Sequence, residues 1–68
     1  MIPNKHLATD ELEHIFKEIV NDVGGHGDFL KSFSLAFLRA DHENQILLKP
    51  SALALVEKYD LQKHLPGN

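Results

Sequence analysis

Asp10-Glu11-Leu12-Glu13-His14-Ile15-Phe16-Lys17-Glu18-Ile19-Val20-Asn21-Asp22-Val23 is the stretch that decides the fold class. Leu12, Ile15, Phe16, Ile19, Val20 and Val23 recur at the helical period, giving one continuous apolar stripe with charged residues on the other side. The spacing predicts a helix over 10–23. Thr9 or Asp10 stands where a side chain can accept from the first free backbone amides, and Asp10 with Glu13 has capping-box spacing. The acids Asp10, Glu11 and Glu13 sit at the positive end of the helix dipole. Gly24-Gly25 is the expected stop, because glycine takes the left-handed conformation that closes helices.

Outward from this stretch, Asp28 is the expected N-cap of a second helix over 28–40. Phe29, Leu30, Phe33, Ala36, Phe37 and Ala40 share one side of its wheel, with Phe33 in mid-stripe. Leu35 and Leu38 lie on roughly the opposite side. A helix apolar on two sides is expected in the middle of a bundle or at a subunit contact. Asp41 is placed to cap a third segment, His42 to Leu48. Pro50 lacks an amide proton and biases Lys49 away from helical angles. Either a new helix starts at Pro50, or one helix kinks there; in both readings Ala52, Leu55, Val56 and Tyr59 form a stripe up to about residue 60. Leu61 is placed to fold back over that helix end. Pro66-Gly67-Asn68 is expected to fray. No run alternates with the period of a strand. The reading is an all-α single domain over 1–68: three main helices, or four segments if Pro50 breaks the last.

Sixty-eight residues bury only about 60% of the unfolded surface, so the stability margin should be narrow. With 43% hydrophobic and 25% charged residues, the composition is that of a folded globular chain rather than a disordered one. There is no cysteine, so disulfides and thiolate metal sites are excluded. The formal net charge is −3, and the seven Lys and Arg residues form no run. A phosphate backbone demands a basic face, so a nucleic-acid partner is not expected. No apolar stretch is long enough to span a bilayer, and the N-terminus lacks the apolar centre of a signal peptide. The cytoplasm is the expected compartment.

Motifs that carry chemistry fail on named residues. Gly24-Gly25-His26-Gly27-Asp28 follows a helix rather than a strand and lacks the third glycine of a dinucleotide fingerprint. It also lacks the Gly-Lys-Ser/Thr of a phosphate loop. A calcium loop starting at Asp22 would place Gly24, His26 and Phe33 where oxygen ligands belong. A helix–helix turn explains the glycines. Of the five histidines, His14 has Glu-x-x-His spacing from Glu11, the arrangement of carboxylate-bridged di-iron bundles. Both residues lie more than about 100° around the wheel from the apolar stripe, so they are expected to face solvent. His26 and His42 each neighbour an aspartate, which makes a proton-responsive module conceivable. Ser32 and Ser34 are mid-helix, where a hydroxyl commonly bonds back to a carbonyl one turn earlier. No residue is therefore assigned to catalysis, to a cofactor or to a metal, and the fold is expected to need none.

What is left is a surplus of apolar side chains. Leu35, Leu38, Ile46, Leu47 and Leu53 lie outside the main stripes, and a bundle this small has limited interior. They form the candidate interaction surface. The expectation is a small protein–protein interaction module without catalysis, pairing with itself as a homodimer. The alternative is a metal- or pH-responsive helical module that uses the surface histidines.

Overall fold

In the computed structural model, which describes residues 7–21 and 25–66, the first helix, α1, spans Thr9–Val20. It starts one residue earlier than the sequence pattern suggests. Ala8 is the N-cap and has no side-chain acceptor of its own. The first turn is closed from the other direction, with the Ala8 amide donating to Glu11 Oε1 at 2.9 Å. Leu12, Ile15, Phe16 and Ile19 are all buried, as the stripe requires. Leu7, just ahead of the cap, is fully buried too. Leu7 and Leu12 have the spacing of a hydrophobic staple, which fixes how the chain enters the helix. At the other end the helix stops at Val20, with Asn21 as C-cap. Val23 and Gly24, expected to extend and then end it, lie outside the described residues. Gly25 does take a left-handed φ of +66°.

The second helix, α2, spans Asp28–Arg39 and has Gly27, not Asp28, as its N-cap. Asp28 is instead the first helical residue, where its charge still favours the N-terminal dipole. Leu30, Ser34 and Phe37 face inward. Ser34 is tolerated there because its hydroxyl donates to the Leu30 carbonyl one turn back, at 2.6 Å. The α1–α2 contact is an aromatic cluster. The ring of Phe16 lies 5.0 Å from Phe37 and 5.5 Å, edge-on, from Phe33. Phe37 is fully buried, whereas Phe33 is half-buried at the margin. Phe29, expected in the inward stripe, is 61% exposed. It sits in the first turn of α2, at the outer edge of that stripe.

The third helix, α3, runs unbroken over His42–Tyr59 with Pro50 inside it. Of the two readings at Pro50, the structure has the single helix that passes through it. Proline deprives the Ile46 carbonyl of its usual partner amide, but Ile46 and Pro50 both stand on the exposed side, where water can bind that carbonyl. Asp41 caps α3 as expected, its Oδ1 accepting from the Asn44 amide at 2.9 Å. Asp60 ends the helix in the left-handed conformation, φ 56°. The chain then turns through a short 3-10 helix, Leu61–His64, which buries Leu61 and Leu65 against the bundle. Tyr59, assigned to the inward stripe, is 37% exposed.

The result is a small all-α three-helix bundle, with no strand among the described residues. α1 and α2 form its main contact; α3 and the terminal 3-10 turn close over it. Each fully buried large side chain contributes about 1.5–3 kcal/mol.

Candidate functional site

α3 is eighteen residues long, yet the residues it buries are Gln45, Ala52 and Val56. These follow the i, i+7, i+11 spacing of one helix side. Gln45 is held there because its amide Nε2 donates to the Phe37 carbonyl at 3.0 Å, an acceptor at the end of α2 that also takes the Ala40 amide at 3.3 Å. Leu48, Leu53 and Leu55 are half-buried against the core. The opposite side is unusual for a surface helix. From 44 to 54 its exposed positions are Asn44, Ile46, Leu47, Pro50, Ser51 and Ala54, and none carries a charge. Ile46 is 52% exposed and Leu47 76%.

The five residues expected to form one surface are divided by the fold. Ile46 and Leu47 stand together on the outer side of α3. Leu53 is half-buried at the edge of that side. Leu38 is half-buried against the core and borders an open depression of about 510 Å³ with Asp10, Glu13, His14 and Lys17 of α1. Leu35 is 37% exposed on the side of α2 roughly opposite its buried face.

A second cluster is centred on His14, which also borders that depression. His14, expected to face solvent alone, receives the terminal turn: its Nε2–H donates to the His64 carbonyl at 3.1 Å. When neutral, His14 is therefore the Nε2–H tautomer. It also lies 3.9 Å from Glu18 Oε1, one turn on. The His64 side chain reaches His26 in the α1–α2 loop, Nε2 to Nε2 at 3.2 Å, with ring centroids 5.4 Å apart and planes inclined at 66°. The pair thus clasps two segments separated by 38 residues. Burial pushes the His64 pKa down, and the neighbouring His26 and Lys63 push it further the same way, against a smaller upward pull from Glu18. No spacing in the sequence announces this clasp. The structure places His42 elsewhere, exposed at the start of α3, and His6 lies outside the described residues.

Among the described residues, no three His, Cys, Asp or Glu side chains converge as a metal site, and no helix is long and apolar enough to cross a membrane. No protein-family model matches this chain, and no curated protein or solved structure matches it either.

Proposed function

We propose that this protein is a small protein–protein interaction module, without catalysis, that pairs with a second copy of itself through the outer side of α3. The observation behind this reading is the uncharged run of exposed positions from Asn44 to Ala54, with Ile46 and Leu47 at its centre. Solvated helix faces normally carry charge, and uncharged apolar patches mark contact sites. Leu53 extends the patch at its edge. Glu43 precedes the run, and Glu57 and Lys58 follow it, so both signs of charge rim an uncharged centre.

Such a face suits its own copy under a two-fold axis. The backbone adds a second reason. Any partner covering this side must supply a donor to the Ile46 carbonyl that Pro50 leaves open, or the carbonyl is buried unsatisfied. Asn44 and Ser51 carry donors on the same face, so a second copy brings them. A net charge of −3 is too small to oppose association strongly. Pairing also supplies apolar burial that a chain of this size lacks.

Light scattering and sedimentation equilibrium over a concentration series test the reading. The expected result is a monomer–dimer equilibrium for the native chain. Leu47→Glu is expected to stay monomeric with an unchanged helical circular-dichroism spectrum, since Leu47 is 76% exposed and its replacement buries no charge in the monomer. A native chain that remains monomeric at millimolar concentration overturns the proposal, as does a Leu47→Glu variant that still pairs.

A further inference from the structure

The two ring nitrogens of the His26–His64 clasp are as far apart as two ligands of one ion, although the rings now point nearly at each other, as in a hydrogen bond. We propose that His26 and His64 form a two-imidazole chelate for a divalent transition-metal ion of the Zn²⁺, Cu²⁺ and Ni²⁺ class, with water in the remaining positions. Two Zn–N bonds of about 2.0–2.1 Å at a tetrahedral angle place the nitrogens roughly 3.3–3.4 Å apart, and a right angle places them at about 2.9 Å. The observed separation of 3.2 Å falls between these limits. It is also at the long end of the range for a hydrogen bond from nitrogen. Without the ion, one imidazole N–H fills the gap by donating to the other ring. With it, both nitrogens give lone pairs, and the rings swing so that their centroids, now 5.4 Å apart, close by a few tenths of an ångström.

The surroundings favour that exchange. The His64 backbone is held by the bond from His14 Nε2–H to its carbonyl, and its ring already rests against His26. His26 stands between Gly25 and Gly27, neither of which brings a side chain against it. Imidazole nitrogens select zinc, copper and nickel; magnesium and calcium require oxygen ligands. A two-ligand site is weaker than a closed four-ligand one, so the ion adds to a bundle that folds without it. The two ligands come from segments far apart in sequence, and the unfolded chain does not present them together. Binding must therefore raise the melting temperature.

The test uses the untagged full chain, stripped with chelator and titrated with zinc chloride at pH 7.5. One ion is expected to bind per chain by calorimetry. The melting temperature is expected to rise by at least about 5 °C once zinc exceeds its Kd ten-fold, and to return on adding EDTA. Magnesium chloride should leave it unmoved. His26→Ala, in an open loop where folding is not at risk, should abolish the rise. His64→Ala should do the same, and His42→Ala should keep it. No shift with zinc, a shift that survives in His26→Ala, or one ion per two chains would each overturn the intrachain chelate.

Discussion

The α1–α2 contact and the outer side of α3 are built on opposite plans. Each of the first two helices is twelve residues long and buries large side chains, Leu12, Ile15, Phe16 and Ile19 from one, Leu30 and Phe37 from the other, although α2 leaves Phe29 and Leu35 exposed. The third is eighteen residues long and fully buries only a glutamine, an alanine and a valine, while Ile46 and Leu47 stand in solvent. α3 places no large apolar side chain fully in the core; Leu48, Leu53 and Leu55 reach it only from the margin. Its larger outward residues then cost solvation in the monomer and contribute little to holding it together. The first region explains why the chain folds, and the second is the surface that the proposed pairing would cover.

The largest effect expected from this contrast is at Phe37. Its ring is fully buried against Phe16, so Phe37→Ala should cost about 3–5 kcal/mol through lost transfer energy and a cavity. A domain this small seldom has more than about 3–5 kcal/mol in total, so the variant should be largely unfolded by circular dichroism. In dilute solution Leu47→Ala should shift stability by no more than about 0.5 kcal/mol. Similar losses at the two positions in urea titrations would break the comparison.

Pro50 sharpens it from the other side. A proline in a helix interior costs roughly 3 kcal/mol relative to alanine, partly offset by about 0.4–1 kcal/mol because it stiffens the unfolded chain. Pro50→Ala restores the amide that the Ile46 carbonyl lacks, and should stabilise the monomer by about 2 kcal/mol in urea unfolding. A destabilised Pro50→Ala variant would mean that the ring packs on something essential, and that the outer side of α3 is not free.

How much of this was legible in the sequence follows from which forces leave a periodic trace. Leu12, Ile15, Phe16 and Ile19 were readable because α1 separates apolar from charged residues cleanly. Asp41 and Ser34 were readable because capping and back-bonding act within one turn, and Leu61 because a residue just past a helix end has few places to go. Gln45 was hidden within a polar run, although its spacing to Ala52 and Val56 was a usable signal. Leu7 was missed for want of a periodic neighbour, yet the staple spacing to Leu12 could have found it. Phe29 shows the limit of a wheel: a shared side is not a shared depth, and only the partner helix decides how much of a stripe is covered. Pro50 leaves a break and a continuous helix equally open in the sequence, and the exposed position of its lost bond is what allows the continuous one. The surface leucines were read as one set, and tertiary packing divides them between core margin and solvent. The histidine clasp joins segments with no local relation, so no spacing rule reaches it.

The clasp yields the smallest and most condition-dependent effect, and it separates the α1 side of the molecule from α3. His64 has a pKa lowered from its ordinary value of 6.5, first by burial, then by His26 and Lys63, with Glu18 opposing and His14 adding slightly. A base whose pKa is lower in the fold than in the unfolded chain contributes stability above the unfolded value and gives it up as the pH falls through the folded one. With chelator present, the native chain should therefore hold its melting temperature from pH 8 down to about 6.5. Its contribution from His64 should then fade on further acidification, because the protonated ring must leave its partly buried place against His26. His64→Gln removes the titrating group, so its melting temperature should fall less steeply below that point. His42→Ala, changed at the exposed start of α3, should follow the native curve. Melting curves at half-unit pH steps for the three proteins decide the matter. A native curve and a His64→Gln curve that run parallel through the acid range would show that the clasp contributes nothing to pH-dependent folding, and that acid acts on the molecule as a whole.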